Sequence, residues 1–269
     1  MPELPEVETV MRGLSPVLQG HALNKVLVTR PDLRFPFPKG FTEVLTRSRI
    51  VKLSRRAKYM LWHFESGDIA LMHLGMSGRF TITKGPLVKH DHVIFETDHG
   101  IEIRYNDPRR FGFMDLIKAG TTSKFLNNLG PEPLGNEFSS KYLYGQLRQG
   151  KASIKSRLLD QRVVVGVGNI YCSEALFQAG VSPTREARNV TKSEAQKLTI
   201  SIRDVLNRAI EAGGSSLRDF VQADGELGYF QHAWAVYGRE GEPCSSCGDK
   251  IMRVVQSNRS SFFCINCQS

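Results

Sequence analysis

Four cysteines near the end of the sequence constrain this chain more than any other feature. Cys244-x-x-Cys247 and Cys264-x-x-Cys267 stand sixteen residues apart. Two thiolate knuckles at this spacing suit a tetrahedral ion, zinc or alternatively iron, with a hairpin bringing the knuckles together. No fifth ligand is evident, so the site is expected to be closed and structural, holding a module too short to fold on its own core. The stretch 252–263 between the knuckles carries Arg253 and Arg259, which can offer cations to a nucleic acid. Five cysteines suit a secreted disulfide framework poorly, and Cys172, left over, reads as a buried structural thiol.

The remaining chain is basic. A formal charge of +9 points toward a polyanionic partner, although charge alone does not name it. At 269 residues there is room for two domains with cores of their own and a small extra module. No apolar run approaches the roughly 20 residues of a membrane helix, and no signal peptide precedes Pro2. A cytoplasmic location is expected, which in a bacterium means contact with the nucleoid.

Hydrophobic periodicity divides the chain. Val7, Val10, Met11, Leu14, Val17 and Leu18 recur at helical spacing, Gly20 can end that helix, and Pro16 should kink or shorten it. From residue 21 to about 118, short runs rich in β-branched and aromatic residues alternate with turn signals. Strands are expected at 25–29, 59–64, 69–74, 79–83, 92–97, 101–105 and 113–118, in an antiparallel sandwich or barrel. Gly130-Pro131-Glu132-Pro133 opens a linker, after which helices are expected at 139–148, 152–159, 170–179 and 193–212. The polar, Gly-rich stretch 215–229 reads as a mobile loop.

Three further stretches carry chemistry. If Met1 is removed, Pro2 becomes a terminal secondary amine, able to attack an electrophilic carbon and form an iminium. Glu3 stands beside it as a proton-transfer group, and Pro5 suits the first turn of a helix. The turn Val165-Gly166-Val167-Gly168-Asn169-Ile170-Tyr171 has Tyr171 where a dinucleotide fingerprint has its third glycine. It reads as a glycine turn entering a helix, presenting N–H groups to a phosphate or simply capping the helix. Two basic clusters, Arg55-Arg56-Ala57-Lys58-Tyr59 and Asp107-Pro108-Arg109-Arg110-Phe111, interleave cations with aromatics. Such clusters either track a nucleic acid or form solvated turns.

Taken together, the octet Met-Pro-Glu-Leu-Pro-Glu-Val-Glu, Lys58, the Asp107–Phe113 turn, the run Gly-x-Gly-Asn-Ile-Tyr and the paired Cys-x-x-Cys resemble the bacterial formamidopyrimidine-DNA glycosylases, also called 8-oxoguanine DNA glycosylases. The resemblance spans the full length. Leu4 favours this group over the sister endonuclease VIII enzymes, which usually have Gly there.

The resemblance implies an α+β fold: a β-sandwich domain at 1–130 flanked by helices including the N-terminal one, a linker at 131–136, a helical domain with a helix–two-turn–helix at 137–234, and a β-hairpin zinc finger at 235–269. It implies a base excision repair enzyme for oxidised purines that also cuts the strand. Pro2, Glu3, Lys58 and Arg259 are its expected catalytic residues. Met76, His90, Arg109, Phe111, Lys151 and Asn169 are its expected DNA contacts, with Met76, Arg109 and Phe111 filling the space left by a flipped nucleotide. One zinc on Cys244, Cys247, Cys264 and Cys267, damaged duplex DNA as partner, no membrane, and a monomer complete the expectation. The alternatives are an endonuclease VIII-like glycosylase for oxidised pyrimidines and a zinc-ribbon DNA-binding protein without catalysis.

Overall fold

The computed structural model describes residues 2–215, 223, 225 and 227–269. Much of the 215–229 stretch read as a mobile loop therefore lies outside the described residues. Contacts divide the chain into two compact units, Met1–Asn127 with Ile210–Gln231, and Asn128–Ala209 with His232–Ser269.

The first unit opens on helix α1 (Leu4–Leu18), whose buried stripe Leu4, Val7, Val10, Leu14 and Leu18 follows the helical period. Pro16 lies within the last turn and does not cut the helix short of Leu18, and Gly20 follows at φ +83°. Two antiparallel four-stranded sheets come next. One is ordered β1 (Leu23–Val28), β6 (Asp91–Thr97), β7 (Glu102–Asn106), β5 (Arg79–Ile82). The other is ordered β2 (Ile50–Arg56), β3 (Tyr59–Phe64), β4 (Ile69–His73), β8 (Phe113–Ile117). The sheets share one core in which Trp62 of β3 meets Phe95 of β6 at 4.9 Å and Phe80 of β5 at 5.7 Å between ring centroids. Leu14 and Leu18 close that core from the α1 side. This is the expected sandwich. It contains two elements the periodicity did not give, β2 and the short helix α2 (Phe41–Leu45).

The second unit holds α3 (Ser140–Leu147), α4 (Ile154–Leu159), α5 (Asn169–Ala179) and most of α6 (Lys192–Glu211). A hairpin of β9 (Ile251–Gln256) and β10 (Arg259–Cys264) ends the chain. Both central residues of its turn, Ser257 and Asn258, have positive φ, as a hairpin turn matching the strand twist requires. Helix α5 is buried at most positions, and its Phe177 packs, as Tyr237 and Cys267 also do, against a small cluster of Val236, Cys244, Ile251, Phe262 and Cys264. Cys172, on α5, is fully buried, as a structural thiol would be.

Candidate active site and nucleic-acid interface

In the first unit, Pro2 and Glu3 are buried at the start of α1. A chain end normally frays. Here Glu6 holds it: one carboxylate oxygen accepts the Glu3 N–H at 2.8 Å, and the other accepts the Ser215 N–H at 2.9 Å. Two residues on, Glu8 pairs with Arg55 at 2.9 Å, and Arg55 donates to the Ala57 carbonyl at 2.8 Å. Ala57 and Lys58 form the two-residue turn between β2 and β3, with buried Ala57 at φ +54°. The helix that follows Pro2 and the turn carrying Lys58 are thus linked through the Glu8–Arg55 ion pair. Of the three cations in the sequence cluster, Arg55 serves that link.

Beside Lys58 stands His73, a residue the sequence did not single out. Burial and then the charges of Lys58 and Arg34 push it down to about 4. It is neutral at physiological pH. Its Nδ1 accepts the Gly75 N–H at 3.1 Å, which places the ring proton on Nε2. A neutral donor among cations fits an anion. The signal that could have found it is local, a lone His at the end of a strand running into Gly75-Met76.

Met76, Arg109 and Phe111 come from two neighbouring chain segments. Met76 is half-buried on the connection from β4 to β5, while Arg109 and Phe111 are exposed on the connection from β7 to β8. The Arg109 guanidinium lies 4.9 Å over the Phe111 ring. His90 is half-buried at φ +76°, and its carbonyl accepts the Asp107 N–H at 3.1 Å, so it joins the same end of the sheet.

In the second unit the four cysteine sulfurs lie within 4.8 Å of one another, with Cys247–Cys264 at 3.4 Å and Cys244–Cys267 at 3.9 Å. Zn–S bonds of about 2.3 Å in a tetrahedron put sulfurs about 3.8 Å apart, so the set fits zinc. The backbone N–H of Asp249 and the Asn266 side chain hold Cys247 down to about 7, whereas its hydrogen bond to Cys247, burial and the other thiols push Cys267 up to about 12. Four sulfurs this close need a cation before all can be thiolates.

Arg259 is exposed directly after the hairpin turn. The next residue's carbonyl, Ser260 O, accepts from Lys155 Nζ at 2.7 Å and from Asn169 Nδ2 at 3.0 Å, and Lys155 also donates to Ser261 Oγ at 2.7 Å. Lys155 is 1% exposed, a buried cation that sequence reading passed over. Asn169 is the first residue of α5, with Gly168 at the N-cap. The other end of the module is clipped by Glu174, which accepts the N–H groups of Ala235, Val236 and Tyr237 at 2.7–3.0 Å; burial still raises its carboxyl above the usual range. Lys151 stands apart from this cluster, exposed on the turn before α4.

Family models match in the same order as these parts. They are the formamidopyrimidine-DNA glycosylase N-terminal domain over residues 1–114, the H2TH domain of the same glycosylases over 129–221, and the zinc finger found in FPG and IleRS over 241–269. The formamidopyrimidine-DNA glycosylase of Ruegeria pomeroyi is 53% identical, and that of Roseobacter denitrificans 51%, each over an alignment of 282 positions that covers 100% of this chain and of the relative.

The chain belongs to the formamidopyrimidine-DNA glycosylase family.

The solved MutM (FPG) protein of Thermus thermophilus superposes with a TM-score of 0.90 at 40% identity, covering 99% of this chain and 98% of that one. A Lactococcus lactis FPG mutant solved with DNA containing Fapy-dG does so with a TM-score of 0.90 at 34% identity, covering 99% of each. The chain is accordingly a DNA glycosylase, with one structural zinc on its four clustered cysteines. Among the described residues no helix is long and apolar enough to cross a membrane.

Proposed function

We propose that this protein excises oxidised purines, 8-oxoguanine and formamidopyrimidines, from duplex DNA and cuts the strand through an iminium on Pro2. A base inside a duplex hides its C1′, so the nucleotide must first leave the stack. The Pro2 nitrogen attacks C1′, the damaged base departs, and Glu3 protonates the opening sugar ring. The iminium acidifies the C2′ proton, whose loss expels the 3′ phosphate, and a second elimination expels the 5′ phosphate. Lys58 and Arg259 act at the flanking phosphates as fixed cations that stabilise the departing charge and supply protons. Neutral His73 offers its Nε2–H beside Lys58, and Asn169, His90 and Lys151 contact the backbone. Met76, Arg109 and Phe111 fill the gap in the stack. Zinc supplies no chemistry to these steps; bound to its four cysteines it fixes the hairpin that carries Arg259. The functional division is a catalytic sandwich at 1–130, a linker, a helical DNA-binding part at 137–234 and a zinc finger at 235–269. The enzyme works as a monomer in the bacterial cytoplasm, at the nucleoid.

The observation that supports this most directly is the pinned chain start. Glu3 is 2% exposed and its N–H is held by the Glu6 carboxylate, whereas a chain end without a task frays. Borohydride trapping on duplexes bearing 8-oxoguanine tests it. Protein shown by mass to lack Met1 is expected to form a covalent adduct, which a zinc-ribbon binder cannot do, and Pro2→Gly is expected to retain duplex binding while turnover drops sharply. Full activity in protein that keeps Met1 would remove the terminal amine from the mechanism. Preferential cutting at oxidised pyrimidines would move the enzyme to the endonuclease VIII group.

A further inference from the structure

The two chain segments bearing Met76 and the Arg109–Phe111 pair are both crossings between the sheets. The first runs from β4 in one sheet to β5 in the other, and the second runs back from β7 to β8. The second crossing begins at Asp107, which is 0% exposed. A buried carboxylate is costly unless hydrogen bonds satisfy it. Its Oδ1 accepts from Ser77 Oγ at 2.6 Å, and its Oδ2 accepts from Gly112 N at 2.9 Å and Tyr105 Oη at 3.3 Å. Ser77 Oγ in turn accepts the Arg109 N–H at 3.1 Å. One carboxylate therefore holds the neighbour of Met76, the neighbour of Phe111 and, through Ser77, the backbone of Arg109.

The two crossings also touch directly. A Cβ on Gly75 would collide with the Phe111 carbonyl group and Gly112 N, and one on Gly112 would collide with Tyr105 Oη. Tyr105 stays a phenol: burial, then the Asp107 charge, raise it well above its usual range. It therefore remains a donor to that carboxylate.

We propose that Asp107 is a positioning residue that fastens the two crossings into one rigid wedge, so that Met76, Arg109 and Phe111 enter the stack together. The proposal rests on the reading of those three residues as the wedge. Unstacking a base step costs a few kcal/mol, and a wedge can meet that cost only if its support does not yield. Asp107 itself, wholly buried, touches no DNA.

The test uses the full zinc-loaded chain as wild type, Asp107→Asn, Ser77→Ala and the control Arg109→Ala. Each acts on 8-oxoguanine duplexes with each of the four opposite bases, and on a single-stranded oligonucleotide with an abasic site, where there is no stack to fill. Asp107→Asn is expected to lower kcat/KM on the duplexes about tenfold and to flatten the opposite-base ranking as Arg109→Ala does, with single-strand cleavage kept within about twofold. Ser77→Ala, a gentler cut in the same network, should move the ranking in the same direction. Combining the two should cost less than the product of their separate effects. If duplex and single-strand rates fall in step, or if Asp107→Asn and Ser77→Ala keep the wild-type ranking while Arg109→Ala flattens it, Asp107 does not position the wedge. If Arg109→Ala itself keeps the ranking, the wedge reading fails before the role of Asp107 is reached.

Discussion

In the first unit, Glu3 and Lys58 are carried by a helix and a hairpin that share an apolar core reaching from Val7 through Trp62 to Phe95. In the second, Arg259 sits on a hairpin whose own buried cluster is five residues, Val236, Cys244, Ile251, Phe262 and Cys264. What the hairpin lacks in apolar burial it has in buried charge and in ligands: Lys155 under its tip, Glu174 at its root, and four sulfurs around one ion. A site held chiefly by a core, with the Glu8–Arg55 pair beside it, is insensitive to chelators. A site held by a metal and buried ions can be dismantled chemically while the rest of the fold stands.

The strongest way to break that contrast is to remove the zinc. Structural zinc contributes on the order of 10 kcal/mol of folding free energy in small fingers. Chelation, or Cys247→Ser, is expected to abolish the hairpin's ordering and lower DNA affinity by about a hundredfold or more, while the first unit's unfolding transition stays in place. Calorimetry beside metal analysis reads both, and an unchanged hairpin in metal-free protein would refute the contrast.

Next comes Lys155→Met, which keeps the length but leaves Ser261 Oγ and part of the Ser260 carbonyl without their donor. An expected loss of about 2–3 kcal/mol falls on the second unit, with weaker DNA binding and no effect on the first. Hydrogen exchange of the hairpin amides would show it.

Acid should act on the other side. His73 is held near 4 in the fold and returns to about 6.5 when unfolded, so the unfolded chain binds the extra proton between those values. Stability is full above about pH 6.5 and falls as pH drops toward 4, by about 2 kcal/mol at pH 5. Urea unfolding of the first unit at pH 7.5 and pH 5 should show that slope in wild type and much less of it in His73→Gln. Equal slopes would show that His73 is not the group responsible.

The smallest expected effect is a gain. Ser257, exposed at φ +48° in the hairpin turn, prefers other conformations, and Asn tolerates this one better. Ser257→Asn should stabilise the second unit by about 0.5 kcal/mol and leave the first alone, a shift visible in its melting temperature.

How much of this was legible depended on what the sequence pattern reports. Strand β3 was readable to the residue, since Tyr59–Phe64 is a short apolar run with three aromatics, closed by the turn signal Ser66-Gly67-Asp68. Its neighbour β2 was not: Ile50–Arg56 is an edge strand carrying Lys52, Arg55 and Arg56, and edge charge hides the strand signal. Helix α2 is five residues, too short to display a period. Of the candidate site, the sequence marks residues that form short motifs, Pro2-Glu3, Gly-Asn-Ile-Tyr and the cysteine pairs among them, and the cysteine sulfurs do come together. The supporting groups Asp107, Lys155, Glu174 and His73 were not assigned their places. A charged side chain reads as surface until its partners are known, and for Lys155 and Glu174 those partners lie far off, Ser260 at 105 residues and Val236 at 62.

The discontinuity of the first unit has a consequence in time. Its core includes Ala223, whose carbonyl also accepts the Ile82 N–H, and its chain start is held through Ser215. A ribosome emits Asn127 roughly 100 residues before those partners, a delay of roughly 5–20 s at 5–20 residues per second. Through that interval the place of Ala223 in the core stays open, and the second unit's helices are made meanwhile. The chain start, the first part to be synthesised, is therefore among the last parts to be fixed.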